Sequence, residues 1–499
     1  MGIHAGTSGT RELCTDTLRC ASGSQEDDIS RGEMDIVQEL AKLPQDIFDN
    51  IYSLLPMQDA ARAACVSHHF LCSWKHFPRL VFNSSTLGLD KLKLPLDEEV
   101  NHFTKIVDHI LMNHSGVGVK KLVLQLFLCP SIDASYLDKW LQIAVKPGIE
   151  NIVLEISSET AYNFPCSLLS NKIAGATIQS LVLSSCAFHP TAALGWNKSL
   201  TALSLYMVRI TEEELGQFVS NCLSLVKLSL SYCNDVVSFR APCPLQLEHL
   251  HVTFCEKLHV IEISAPKLLY FVFGENLIRI SLGVEVKHVR MVGYQQPNLL
   301  FHARTMVPIF MPNVERLSLE SVGEKIKTPL MPSKFIHLKY LDIYIMESFS
   351  GYDYFSLISF LGASPSLETF IFRVRRCYAV CHDSTFGDLQ SEMHLRQVPE
   401  CRYDNLKNVT ITGASAAKTM IELASHIVQN ASALSSMVMD TARGCGRRTG
   451  KTNRCSYMSK EALMEANKTV EAVERFIRRN VPSSANFKVL PPCRMCGVI

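Results

Sequence analysis

The sequence predicts an α/β solenoid, horseshoe-like, in which short parallel strands stack side by side behind a small all-helical module. Three observations carry this. An apolar-x-x-apolar-x-apolar pattern recurs from residue 119 onward, the stretch Leu43 to Leu80 packs three helical patterns into fewer residues than an independent core needs, and 47% hydrophobic residues in a 499-residue chain supply a large buried interior.

Charge and targeting signals narrow the classes. With 49 basic against 48 acidic side chains the formal charge is +1, which provides no global basic field, so no nucleic acid is expected as partner. No run reaches the roughly 18 apolar residues of a membrane span. Met1 to Cys20 lacks a basic region followed by an apolar run, so no signal peptide is read and the 18 cysteines are taken as reduced thiols in cytoplasm or nucleus.

Residues 1–38, rich in Gly, Ser, Thr and acidic side chains without periodicity, predict a disordered tail. Residues 39–82 form the helical module. Pro44 suits a first helical turn, and Ile47, Ile51 and Leu54 or Leu55 then recur on one face until Pro56. Asp59 is expected to cap a second helix running to Val66, and Ser67 a third in which Phe70, Leu71 and Trp74 share a face before Pro78. So short a unit needs a partner to complete its core.

These residues resemble the F-box, the adaptor-binding module of cullin-based ubiquitin ligases, in its plant form. Leu43, Pro44, Asp46, Ile47, Ile51, Ser53, Leu54, Leu55, Pro56, Asp59, Ala60, Ser67 and Trp74 match its pattern, while His68, His69 and Phe70 stand where a basic-basic-Trp step is common. The resemblance implies binding to a Skp-type adaptor and, through it, to a cullin. Contacts are expected to centre on Leu43, Pro44, Ile47, Ile51, Leu54, Leu55, Val66 and Trp74, read as exposed apolar bulk.

Residues 83–118 read as a helical linker carrying the stripe Val100, Phe103, Val107, Ile110 and Leu111. Another stripe, Leu137, Trp140, Leu141, Ala144 and Val145, follows before Pro147-Gly148. From 119 to 402 the repeat is leucine-rich. First anchors fall at Val119, Ile149, Ile178, Leu200, Leu225, Leu247, Leu268, Val286, Val314, Leu338 and Leu367, with Leu406 and Leu434 beyond, mostly about 20 to 30 residues apart. Alternation sends the paired anchors inward from each strand, and stacking buries them in one core.

Thr211 to Glu214 form a capping box that opens a helix with Leu215, Phe218, Val219 and Cys222 on one face. Between Leu247 and Met291 the spacing tightens, predicting short return strands in place of helices. Cys186, Cys233 and Cys255 fall three residues after the last anchor, where this repeat class uses Cys or Asn to bond turn backbone. A zinc set of His249, His251, Cys255 and His259 lacks paired ligand spacing and follows the repeat's own register, so no metal and no cofactor are expected.

Residues 403–440 show strand, helix and strand, with Met420, Leu423, Ile427 and Val428 on the helix, and are expected to close the array. Leu406-Lys407-Asn408-Val409 and Ala431-Ser432-Ala433-Leu434 are similar to the FBD-like unit at the C-terminus of many plant F-box proteins. Residues 441–499 form a basic tail: twelve Lys or Arg against four Glu from 443 onward, net +8. One helix, Ser459 to Asn480, with Ala462, Ala466, Val470, Val473 and Ile477 on a face, is expected to dock on the solenoid's end. Cys493-Arg-Met-Cys496 is a lone C-x-x-C without a second pair or an adjacent βαβ context, and Cys496 to Ile499 fits only a loose prenylation form.

The resemblance implies the substrate-recognition subunit of an SCF-type ligase, with the repeats binding a target protein and no bond chemistry in this chain. Positions turned outward on the strands give the target-binding candidates Tyr206, His249, His251, Tyr270, His288, Arg290, Arg316, Tyr340, Asp342, Tyr344 and Arg373. No catalytic residues are assigned, since neither G-x-S-x-G nor H-E-x-x-H occurs as a nucleophile or metal motif. A non-ligase repeat scaffold or inhibitor binding a protein is the alternative.

Overall fold

The structure, a computed structural model, describes residues 44–66, 68–91, 95–127, 132–157, 162–170, 175–190, 198–241, 246–274, 279–282, 286–294, 297–347, 351–376, 395–396, 398, 401–441, 458–493 and 495–496. Leu43, Ser67, the predicted tail 1–38 and the last three residues of the loose prenylation form lie outside them. The chain divides into two units, Met1–Gln246 and Leu247–Ile499.

The first unit opens on helices α1 (Gln45–Leu54), α2 (Met57–Val66) and α3 (His68–Trp74). Their core is aromatic: Phe48 lies 5.0 Å from Phe70, Tyr52 meets Phe77 edge-on at 5.8 Å, and Trp74 stacks on Phe77 at 5.5 Å. The inner face of α1 is therefore Phe48 and Tyr52, each 2% exposed, which the sequence reading did not single out, while the aliphatic stripe stays outside. Rings at i and i+4 bury more area than the aliphatic residues beside them, so they take the interior. Asp59 falls inside the first turn of α2 instead of capping it.

Strand β1 (Arg79–Phe82) pairs in parallel with β2 (Lys121–Leu126), so the sheet begins within the module and ahead of the first predicted anchor, Val119. The Met57 Sδ thioether supports this junction, accepting from the Val81 N–H at 3.2 Å. Between the two strands, α4 (Leu96–Asn113) buries Val100, Phe103, Val107 and Leu111, with Ile110 half-buried. Helix α5 (Ala134–Ala144) follows, capped by Asp133, and buries Leu137, Trp140, Leu141 and Ala144. Trp140 donates to Asp108 of α4 at 2.7 Å, which fixes one helix against the other.

Strands β3 (Asn151–Ile156), β4 (Ser180–Ser184), β5 (Ala202–Tyr206) and β6 (Lys227–Ser231) continue the parallel ladder. Register places Leu80, Leu122, Ile152, Leu181, Leu203 and Leu228 in one row, each no more than 1% exposed. Each such anchor contributes roughly 1.5–3 kcal/mol. Helix α6 (Glu212–Asn221) carries both hydrogen bonds of the predicted capping box and buries Leu215, Phe218 and Val219, and the short strand β7 (Ser238–Ala241) ends the described strands of this unit.

After three of these strands the chain enters left-handed backbone at Ser185, Met207 and Tyr232, with φ of 54° to 57°. That conformation costs a residue with a Cβ about 1–2 kcal/mol. Cross-repeat bonds offset it: Ser185 N–H donates to Tyr206 O at 2.9 Å and Met207 N–H to Ser231 O at 2.8 Å. The buried Cys233 thiol adds a contact of 3.6 Å to Leu205 O, in keeping with its reading as a turn residue. Cys65 departs from the reduced-thiol expectation, being disulfide-bonded.

The second unit repeats the plan. Strands β8 (His249–Thr253), β10 (Tyr270–Gly274), β12 (His288–Gly293), β13 (Arg316–Val322), β14 (Tyr340–Glu347), β15 (Thr369–Arg376), β16 (Asn408–Thr412), β17 (Ser436–Asp440) and β18 (Asn486–Leu490) pair in parallel in that order. The tightened spacing yields return strands β9 (Val260–Ile263) and β11 (Arg279–Ser281), paired with each other. Further on, the outer elements are α7 (Leu299–Phe310), α8 (Ile358–Ala363) and α9 (Lys418–Asn430). All thirteen predicted first anchors are buried, at no more than 3% exposure. At Gly413, φ is +77° and a Cβ would meet Val374 O at 2.2 Å, so only glycine fits that turn.

Residues 403–440 do not close the array as expected. Helix α10 (Lys460–Phe476), capped by Ser459, leads into β18, which adds a strand beside β17. Ala466, Thr469, Ala472, Val473 and Ile477 face inward, whereas Val470 is half-buried. Thr469 was absent from the predicted face; its hydroxyl donates to Glu465 O at 2.7 Å and so is satisfied within the helix.

Candidate interaction surfaces

Helix α1 presents its aliphatic side chains outward. Ile47 and Ile51 are 45% and 44% exposed and Leu54 is 75% exposed, one above another on the side of α1 next to the buried Phe48 and Tyr52. Pro44 is exposed and Leu55 half-buried at the ends of this strip. Ser73 donates to Asp49 at 2.7 Å and accepts from Gln45 at 3.1 Å, fixing the helix so that its apolar side stays turned to solvent. Trp74 corrects the expectation of exposed bulk, since it is 8% exposed beneath Phe77. Leu43 and the side chain of Val66 are outside the described residues.

A second surface lies on the sheet face turned away from the core. Of its predicted members Tyr206 belongs to the first unit, where it is 43% exposed and meets Tyr232 edge-on at 5.3 Å. The remainder gather on β8 to β15 of the second unit. Register brings His249, Tyr270, His288, Arg316 and Tyr340 into one row. The His249 and Tyr270 rings stack at 4.5 Å and 3°, Tyr270 and His288 lie 4.5 Å apart, and the Arg316 guanidinium sits 4.0 Å above Tyr340. Such stacking and cation–π geometry holds flat side chains upright at small entropic cost.

Beside that row is a charged network. Arg373 grips Asp342 with two bonds of 3.0 and 2.7 Å and lies 5.5 Å from the Tyr344 ring. Arg290 pairs with Glu320 at 2.7 Å, and the Tyr294 hydroxyl donates to Glu320 at 2.8 Å. Burial raises the Asp342 carboxyl, which Arg373 counters only in part. At Glu320 burial pushes the same way, but the bonds from Arg290 and Tyr294 outweigh it and the carboxyl falls below its ordinary range. Burial, together with Glu320, pushes Tyr294 up to about 12. Desolvation lowers His251 and His288, with Arg290 and Arg316 respectively adding to it, so both rings are held neutral over a wider range.

Glu320 and Tyr294 were absent from the predicted set. Glu320 shares the outward phase with Ser318, between Leu317 and Leu319, so alternation alone could have found it; Tyr294 follows its strand and carried no such signal. Both surfaces consist of contact-forming groups: an aliphatic strip on one, stacked rings and paired guanidiniums on the other. Among the described residues no group of three or more His, Cys, Asp or Glu is placed to hold a metal ion, and no helix is long and apolar enough to cross a membrane.

Comparison with known proteins agrees with this architecture. Residues 110–494 match the family described as At1g61320/AtMIF1, LRR domain. The F-box/FBD/LRR-repeat protein At1g13570 of Arabidopsis thaliana is 21% identical over 419 residues, covering 81% of this chain and 91% of the relative. The F-box/FBD/LRR-repeat protein At3g26920 of the same plant is 23% identical over 401 residues, covering 79% and 87%. With most of its length inside the matched region and its strands stacked in that repeat's register, the chain belongs to the At1g61320/AtMIF1 leucine-rich-repeat family, among plant proteins named for an F-box and leucine-rich repeats.

Proposed function

We propose that this chain is the substrate-recognition subunit of an SCF-type cullin ubiquitin ligase, acting in cytoplasm or nucleus. The outward strip Pro44, Ile47, Ile51 and Leu54 holds a Skp-type adaptor, and the outer sheet face holds a target protein. The observation that carries this reading is the two-faced α1: its aromatic side is satisfied within the chain, while its aliphatic side remains in water. An aliphatic strip of this kind becomes favourable on desolvation by a partner, at about 25 cal/mol per Å² removed from water.

The chain itself makes and breaks no bonds in this scheme. Its contribution is proximity: a target held beside a charged ubiquitin-conjugating enzyme presents its lysines at a raised local concentration. The pairing of β1 with β2 supports that role, because it carries the module and the first repeats in one hydrogen-bonded sheet. Co-expression of the full chain with the adaptor tests the reading. A stoichiometric complex is expected for the unaltered chain and a loss of capture of at least tenfold for Ile51→Glu. A soluble, folded chain that never retains the adaptor would favour a non-ligase scaffold.

A further inference from the structure

The C-x-x-C pair sits in a context that its sequence did not reveal. β17, α10 and β18 form a parallel strand-helix-strand unit, and the pair follows β18 directly. Cys493 and Cys496 are both thiols, with their sulfur atoms 3.4 Å apart. Backbone fixes this spacing: Cys496 N–H donates to Cys493 O at 3.0 Å, and Cys496 O accepts from Met458 N–H at 3.0 Å, one residue before the Ser459 cap of α10. The turn is thus tied to the foot of the helix. Cys493 is half-buried and Cys496 is 2% exposed.

We propose that Cys493 and Cys496 form a reversible dithiol–disulfide couple, oxidised by a low-molecular-weight disulfide of the glutathione type. Sulfurs already in contact across one turn need only side-chain rotation to reach the bonded distance of about 2.05 Å. The more accessible Cys493 thiolate attacks one glutathione sulfur, and the other glutathione departs as a thiolate that takes up a proton. Cys496, as thiolate, then attacks Cys493 Sγ and expels the second glutathione, which is protonated in turn. Two cysteine thiols lose two electrons and two protons, and one glutathione disulfide becomes two thiols. Closing the ring would lock the turn that joins the end of β18 to the start of α10.

The purified full chain, equilibrated in glutathione buffers of stepped redox ratio and quenched with N-ethylmaleimide, provides the test by peptide mass spectrometry. Cys493 and Cys496 are expected to lose labelling together as the buffer becomes oxidising, with the peptide lighter by two hydrogens, and to recover it on reduction. Cys493→Ser, checked for an unchanged circular-dichroism spectrum, should abolish the two-hydrogen loss. Independent labelling of both thiols at every ratio would overturn the proposal. So would a stable glutathione adduct on Cys493 with Cys496 still reactive, or stoichiometric zinc that leaves with Cys493→Ser.

Discussion

Helices α1 and α9 are both amphipathic by sequence, yet they end in opposite conditions. In α9 the residues Met420 to Val428 are all buried, including Glu422 and His426. In α1 only Phe48 and Tyr52 are buried, and three large aliphatic side chains stay in water. The polar groups explain how α9 can be so enclosed. Arg396 bonds Glu422 at 2.7 Å and Asp353 at 2.7 and 2.8 Å, its guanidinium lies 4.5 Å from the Phe355 ring, and His426 meets the Tyr403 hydroxyl at 3.0 Å. One helix is a finished interface within the chain. The other leaves an aliphatic face in water.

Breaking α9 should therefore be costly, and Leu423→Ala is the most direct way. Removing a fully buried leucine is expected to cost about 2–5 kcal/mol, read as a lower denaturant midpoint. Arg396→Met comes next. It leaves Glu422, with no exposed side-chain surface, and Asp353, 10% exposed, short of their main partner, for a loss of about 3 kcal/mol; adding Glu422→Gln should return part of it.

His426 sharpens the contrast through pH. Burial lowers its pKa, so the folded ring stays neutral while the unfolded one takes up a proton below about 6.5. That stabilisation is present above the unfolded value and is lost as pH falls through it toward the lowered folded value. His426→Gln should flatten the fall in melting temperature between about pH 7 and 5.5 relative to the unaltered chain. His114, also lowered by burial, will keep a residual slope. The smallest expected effect is on α1 itself: Ile51→Glu, on an exposed face, should shift stability by no more than about 0.5 kcal/mol while removing adaptor capture. A large destabilisation there would show that the strip is already used within the chain.

The repeat was legible because its signal is local and periodic: all thirteen anchors are buried, and the Thr211 box and the tight return strands lie where spacing put them. The inner face of α1 was harder. Spacing marked Ile47 and Ile51 as one stripe, expected to meet a partner, but Phe48 and Tyr52 make an equally regular one a residue later that went unread, since periodicity alone does not say which stripe the chain covers itself. Trp74 misled for the same reason, because its bulk says nothing about which side Phe77 will cover. Pairings such as Arg396 with Asp353 and Glu422 join positions 43 and 26 residues apart and leave no mark in any window. The β18 strand was hidden by its composition, as Asn486, Lys488 and the half-exposed Phe487 do not read as a buried repeat.

That polar last strand has a consequence for how the chain behaves in a crowded cell. A parallel ladder that stopped at β17 would offer the open amides flanking Met437 and Met439 as a template for other chains. Lys488 at the centre of β18, with Pro491 and Pro492 directly behind it, makes a poor template, so the tail acts as a gatekeeper against polymerisation. Proteolytic trimming ahead of residue 486 would uncover the β17 edge and offer it to other chains as a template for pairing.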